Sequence, residues 1–135
     1  MYQHTIELRV RYGETDQMGY VYYGNYASYY EVARVEALRN LGMSYRKLEE
    51  SGIMMPVLEN HSFYHQPVFY DDLLTVKVIL SAMPSVRITF EYEFRTKNEA
   101  LVHSGKTILA FMNAKTKRPC RPPQTMLELL EPYFS

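Results

Sequence analysis

A chain of 135 residues makes one domain, spanning 1–135, with room for a single core and not for two. Its 15 Lys and Arg balance its 15 Asp and Glu, and a net charge of zero speaks against general nucleic-acid binding, which needs surplus cations for the phosphates. Cys120 is the lone cysteine, so no intrachain disulfide or cysteine-based zinc site can form, which fits a reducing compartment. No window approaches 18 uninterrupted apolar residues, so no membrane span is expected. The opening MYQHTIELRV lacks the basic start and apolar run of a signal peptide, and a cytoplasmic protein is expected.

Residues 4–12 alternate. Ile6, Leu8, Val10 and Tyr12 share one face, with Thr5, Glu7, Arg9 and Arg11 on the other, which predicts a half-buried strand. Asp16 stands at its end, Gly19 follows in a turn, and Asn25 reads as the N-cap of a helix running to about Leu41, stopped by Gly42. Tyr26, Tyr30, Ala33, Ala37 and Leu41 form its apolar arc; Ser28, Glu31, Glu36, Arg39 and Asn40 form the polar side. Arg34 falls inside the apolar arc and is expected to pair with Glu31 one turn earlier.

A short helix is predicted from Ser44 to Ser51, with Gly52 as its stop. Strands then follow at 54–65, ended by Pro67, and at 73–81, entered through the Tyr70-Asp71-Asp72 turn. Two more follow at 86–96 and 101–113, joined by the Lys97-Asn98-Glu99 turn. A basic, proline-bearing tail and a helix over 124–130 close the chain. Strand, long helix, then four strands joined by short connections in a meander predict an α+β fold. Its antiparallel five-stranded sheet should curl around one long central helix.

The chemistry concentrates in residues 12–31. A carboxylate beside the amino end of a helix unites a base with unpaired backbone N–H groups, the two things acyl transfer needs. An aspartate in such a place can also simply cap a turn. Enclosure by Met18, Tyr20, Tyr22 and Tyr23 would strip water from Asp16 and strengthen it as a base. Six tyrosines lie between residues 20 and 30 and could line an acyl pocket; Tyr22 and Tyr23, flanking the turn, are the better candidates for substrate contact. Glu31 is the rival carboxylate. His61 and His65 point to one side of a strand but lie ~13 Å apart at about 3.3 Å per residue, so no metal site is predicted.

The segment Asp16-Gln17-Met18-Gly19-Tyr20-Val21-Tyr22-Tyr23-Gly24-Asn25-Tyr26 closely resembles the active-site segment of the 4-hydroxybenzoyl-CoA thioesterase family, which includes the acyl-CoA thioesterases associated with the Tol-Pal system. Tyr30-Glu31-Val32-Ala33-Arg34 resembles that family's helix, and Pro67-Val68-Phe69-Tyr70-Asp71-Asp72 its mid-chain turn, so the likeness covers nearly the whole chain. The resemblance implies the hotdog fold and an acyl-CoA thioesterase. It implies Asp16 as the catalytic carboxylate and the Tyr23 N–H as oxyanion donor, with Gly19, Tyr22 and Asn25 lining the substrate site. Many Tol-Pal-type members carry histidine where this chain has Tyr23, whereas the hydroxybenzoyl-CoA enzymes carry tyrosine. That leaves an aspartate-plus-amide scheme.

Phosphates of coenzyme A, itself part of the substrate and no cofactor, would fall to Lys97 or Arg95, or to Lys115, Lys117, Arg118 and Arg121 in the tail. Three readings follow: a hydrolase of small to medium or aromatic acyl-CoA, the same chemistry on an acyl carrier protein, or a non-catalytic acyl-binding module. The family's dehydratase relatives use a histidine pattern not found here. Exposed sheet edges and the family habit predict a homodimer or homotetramer with active sites at the subunit interface.

Overall fold

A computed structural model describes all residues, 1–135. Strand β1 (Tyr2–Arg9) has the expected alternation but begins earlier and ends sooner than the sequence suggested. At its head Tyr2 is buried and its hydroxyl donates to the Ala37 carbonyl at 2.5 Å. At its tail the Val10 N–H bonds to the Asp72 carbonyl, and a single 3-10 turn over Tyr12–Glu14 swings Tyr12 into solvent.

Helix α1 (Asn25–Leu41) follows, then α2 (Tyr45–Glu50), one residue shorter at each end than the expected 44–51, with Ser44 as an N-cap that accepts from the Lys47 N–H. The expected strand 54–65 is broken at Pro56 into β2 (Ile53–Met54) and β3 (Val57–Tyr64). Strands β4 (Leu73–Leu80), β5 (Arg87–Arg95) and β6 (Leu101–Ala110) come next, then β7 (Met112–Asn113), which pairs with β2 in a separate ribbon. Helix α3 (Gln124–Leu130) comes at the predicted bounds and runs into a 3-10 turn over Glu131–Tyr133.

The main sheet is antiparallel throughout, in the order β1-β4-β5-β6-β3. The simple meander is therefore wrong in one place. β4, β5 and β6 follow one another through hairpins, but β3 pairs with β6 at the far edge. After β3 the His65 and Gln66 N–H groups still bond to the Val102 carbonyl; residues 67–72 then carry the chain across the end of the sheet to β4. That crossing segment is the floor on which the residue 16–22 loop rests.

The long helix lies on the sheet's apolar face. Leu74, Val76, Val78, Phe90 and Phe94 are fully buried beneath it, and the Tyr30 ring stacks on Tyr92 at 4.4 Å. Gly105 permits this approach: a Cβ there would run into the Tyr30 hydroxyl. Tyr29, Arg34 and Leu38 join the predicted arc in the core.

Arg34 does not pair with Glu31. Its side chain runs inward, where Nη1 donates to the Tyr92 hydroxyl at 3.3 Å, and Glu31 faces solvent. A guanidinium at the centre of the apolar arc points away from the helix surface, so the i,i+3 neighbour cannot reach it. Burial works against its charge, but the neighbouring Tyr92 and Tyr45 hydroxyls outweigh this and hold its pKa above the ordinary value. No helix is long and apolar enough to cross a membrane.

Candidate active site

The loop after β1 is a small hairpin. Thr15 and Val21 form an antiparallel bridge, the Asp16 N–H donates to the Tyr20 carbonyl at 2.8 Å, and the Tyr22 N–H donates to the Glu14 carbonyl at 2.9 Å. Residues 14–16 thus run beside 20–22, and Asp16 faces the strand that leads directly into α1. Gly19 occupies the positive-φ corner at +83° and its N–H closes the turn on the Asp16 carbonyl. The loop is pinned from below by the Val21 N–H on the Val68 carbonyl at 2.7 Å and by the Tyr20–Phe69 bridge.

The Asp16 side chain does cap its turn. Oδ1 accepts from the N–H groups of Met18 at 2.9 Å and Tyr20 at 3.2 Å. Oδ2 has no donor within the protein, so one oxygen fixes the carboxylate and the other is left without a partner. The expected aromatic enclosure is not formed by one chain: Met18, Tyr20, Tyr22 and Tyr23 are all exposed. Tyr22 and Tyr23 lean on each other with ring centroids 4.7 Å apart. Tyr20 and Tyr26 instead line a hollow of about 250 Å³ closed by Tyr64, His65, Pro67 and Val68. A larger apolar hollow, about 390 Å³ beside Tyr45, Ile53 and Met55, lies at the opposite end of α1, away from Asp16.

The helix starts one residue earlier than the Asn25 cap implied. Gly24 is the N-cap, without a side-chain cap bond, and Asn25 is the first helical residue. The Asn25 amide nitrogen turns back to donate to the Glu14 carbonyl at 2.8 Å, and so is committed to holding the loop. The N–H groups of Tyr23 and Gly24 donate to no acceptor in the protein, while the Asn25 and Tyr26 N–H groups close onto the Tyr22 and Tyr23 carbonyls. These free donors at the positive end of a 17-residue helix make a site for developing negative charge.

Sequence reasoning passed over Glu14. Its Oε1 accepts from the Arg11 N–H at 2.8 Å and the Tyr29 hydroxyl at 2.9 Å, and its Oε2 from the Arg11 guanidinium. Burial alone would raise its pKa, but these bonds prevail and hold the carboxyl below its ordinary range. The available signal was an acid three residues after an arginine at a strand end.

His103 was passed over too. It is fully buried, stacked on Tyr26 at 3.7 Å and bonded through Nε2 to the Tyr30 hydroxyl at 2.5 Å, which also meets the Ser62 hydroxyl. Burial, with His65 nearby, pushes its pKa down to about 4. Burial also pushes Tyr26 up to about 12.

His61 meets Glu59 and His65 meets Ser104, each bonded apart from the other. The cationic candidates separate. Lys97 and Asn98 share a polar hollow with Arg9 and Asp72 at the Asp16 end of the sheet, whereas Arg121 packs beside Met83–Val86 at the other end. Arg118 bonds through its carbonyl to Asn113, past the far end of β6. The nine residues of β5 lie between the two groups, roughly 25–30 Å, so within one chain they cannot grip one diphosphate.

Residues 10–130 match the thioesterase-like superfamily. The chain belongs to that family. The DHNA-CoA thioesterase of Staphylococcus aureus superposes with a TM-score of 0.85 at 34% identity, over 99% of this chain and 85% of that one. The acyl-CoA thioester hydrolase YbgC of Escherichia coli is 24% identical over 120 residues, 89% of this chain and 90% of that one. The chloroplastic acyl-acyl carrier protein thioesterase ATL3 of Arabidopsis thaliana is 30% identical over 124 residues, 91% of this chain but 65% of that one. The fold is the hotdog fold of these thioesterases, and the chain is a thioester hydrolase.

Proposed function

We propose that the protein hydrolyses acyl-CoA thioesters of small to medium or aromatic acyl groups, with Asp16 and the head of α1 as its working parts. One observation carries this: a carboxylate with one oxygen anchored and one open runs alongside the strand that ends in two unpartnered amides, those of Tyr23 and Gly24. The amides receive the thioester oxygen as it gains charge, a contribution of about 3 to 4 kcal/mol per donor in comparable sites. Asp16 takes a proton from water as the water oxygen bonds to the carbonyl carbon. The C–S bond then breaks, and the thiolate leaves with a proton. Direct attack by Asp16 would pass instead through an anhydride that water opens.

The hollow over Tyr20, Tyr26 and Tyr64 is sized for a single ring or a short chain, below the usual range for drug-sized ligands. Tyrosine at position 23, in place of histidine, favours the hydroxybenzoyl-CoA branch of the family over the Tol-Pal branch. Lys97 is the phosphate contact this reading keeps; Arg118 and Arg121 stand too far off to serve the same subunit. No cofactor is needed, since coenzyme A is part of the substrate.

The exposed edge β3 presents Val57, Leu58, Phe63 and Tyr64, and a second chain joined there would cover the open tyrosines. We infer a homodimer or homotetramer on this ground; light scattering that returns a monomer at micromolar concentration contradicts it. The likeness to ATL3 favours acyl carrier protein as the second substrate reading.

The test is thiol release from short, long, branched and aromatic acyl-CoA esters and from acyl carrier protein, with wild type beside Asp16→Asn. Turnover of coenzyme A esters by wild type alone supports the proposal. Turnover of carrier-bound acyl groups alone selects the second reading. Binding without turnover of either leaves a non-catalytic module and refutes both.

A further inference from the structure

We infer that Glu14 is the positioning residue of this site, fixing the Asp16 loop and the head of α1 at one relative placement. The inference rests on Asp16 and the Tyr23 and Gly24 amides being the reacting groups.

Glu14 works from both ends of its own residue. Its carbonyl accepts two bonds, from the Tyr22 N–H at 2.9 Å and from the Asn25 side-chain amide at 2.8 Å. The first donor stands one residue before Tyr23, and the second is the first residue of the helix. Asp16 lies two residues further along the chain. Any movement of Glu14 therefore shifts the base and the amide donors against each other.

Its carboxylate is held in turn by Arg11 from the strand exit and by Tyr29 from the helix. The Arg11 side chain is 83% exposed, so its ion pair contributes little by itself. Tyr29 is the informative partner. It is buried to 3% exposure, and a phenylalanine would fill the same space without a polar tip to satisfy. The hydroxyl thus serves direction and not packing. Burial and the Glu14 carboxylate push its pKa up, so it remains a donor. A displacement of about 1 Å between reacting groups can cost on the order of 100-fold in rate.

Tyr29→Phe, Glu14→Gln and the double variant test this, together with Glu14→Ala, with each assayed well below its thermal midpoint. Tyr29→Phe is expected to lower kcat about 5- to 20-fold and to leave KM within about twofold, the mark of misalignment without lost binding. The double variant is expected to be no slower than the worse single variant, since both break one link. Glu14→Gln, which keeps an oxygen for Tyr29, is expected to retain more activity than Glu14→Ala.

Hydrogen exchange gives a readout that needs no turnover. In Tyr29→Phe the Asp16 and Tyr22 amides should exchange about tenfold faster while the Leu38 amide is unchanged. Wild-type kcat and unchanged exchange in Tyr29→Phe, or losses that simply track the thermal midpoint, overturn the inference. Full activity in Asp16→Asn removes the reading beneath it, whatever the exchange data show.

Discussion

The two ends of α1 are built from similar small residues and finished in opposite ways. At the carboxyl end Gly42 turns left-handed at φ +105°, and its N–H and that of Met43 close onto the Leu38 and Arg39 carbonyls. Leu38, Leu41 and Met43 seal that end in the core. At the amino end Gly24 caps without a side-chain bond, the Tyr23 and Gly24 amides have no partner, and Tyr22 and Tyr23 stand in solvent. One end is completed for stability. The other is left incomplete, and the proposed function seats the thioester oxygen there.

If that contrast is sound, damage at each end should affect a different quantity. Asp16→Asn should reduce turnover by about 1000-fold, within the range for loss of a positioned base, with the thermal midpoint nearly unchanged. Comparable rates with and without the carboxylate would break the comparison at once. Leu38→Ala, which empties a fully buried site, should cost about 3 kcal/mol of stability and leave kcat of the folded fraction intact.

The buried histidine beneath the open end adds a pH dependence. Unfolded His103 takes up a proton near pH 6.5, and the folded one only near 4. Stability from this residue is therefore complete above about pH 6.5 and falls as pH drops toward about 4, on the order of 3 kcal/mol in all. Denaturant midpoints for wild type and His103→Phe at pH 7 and pH 4.5 should converge or cross at the lower value. Parallel curves would contradict the burial argument.

Gly42→Ala should cost about 1 kcal/mol for forcing a Cβ into a left-handed position, with kinetics unaltered. The smallest effect belongs to Gly24→Ala. A Cβ there would come within 2.7 Å of the Tyr22 ring, which is exposed and free to swing, so folding should be unharmed. KM should rise about two- to fivefold if Tyr22 touches substrate.

Periodicity made the helices and strands legible. Ile88, Phe90, Tyr92 and Phe94 alternate on β5 as they do in the sequence, and Gly42 and Ser44 mark helix ends by their own backbone preferences. Sheet order was not legible, because nothing in Val57–Tyr64 says which neighbour it will pair with; the crossing over 67–72 decides that. The motif drew attention to Asp16, but periodicity hid Glu14, whose role depends on Tyr29 fifteen residues away. It also hid the inward course of Arg34, which local spacing assigned to Glu31. The cationic residues misled for the same reason: Lys97 and Arg121 look like one basic supply in sequence and occupy opposite ends of β5.

The central claim is that the open end of α1 receives the thioester oxygen. A ketone analogue of benzoyl-CoA, with CH2 in place of the thioester sulfur, keeps the carbonyl and cannot be hydrolysed. Titrated into isotope-labelled protein, it should move the Tyr23 and Gly24 amide protons downfield and leave the Gly42 amide where it was. Saturable binding that shifts other residues while those two amides stay fixed would contradict the account.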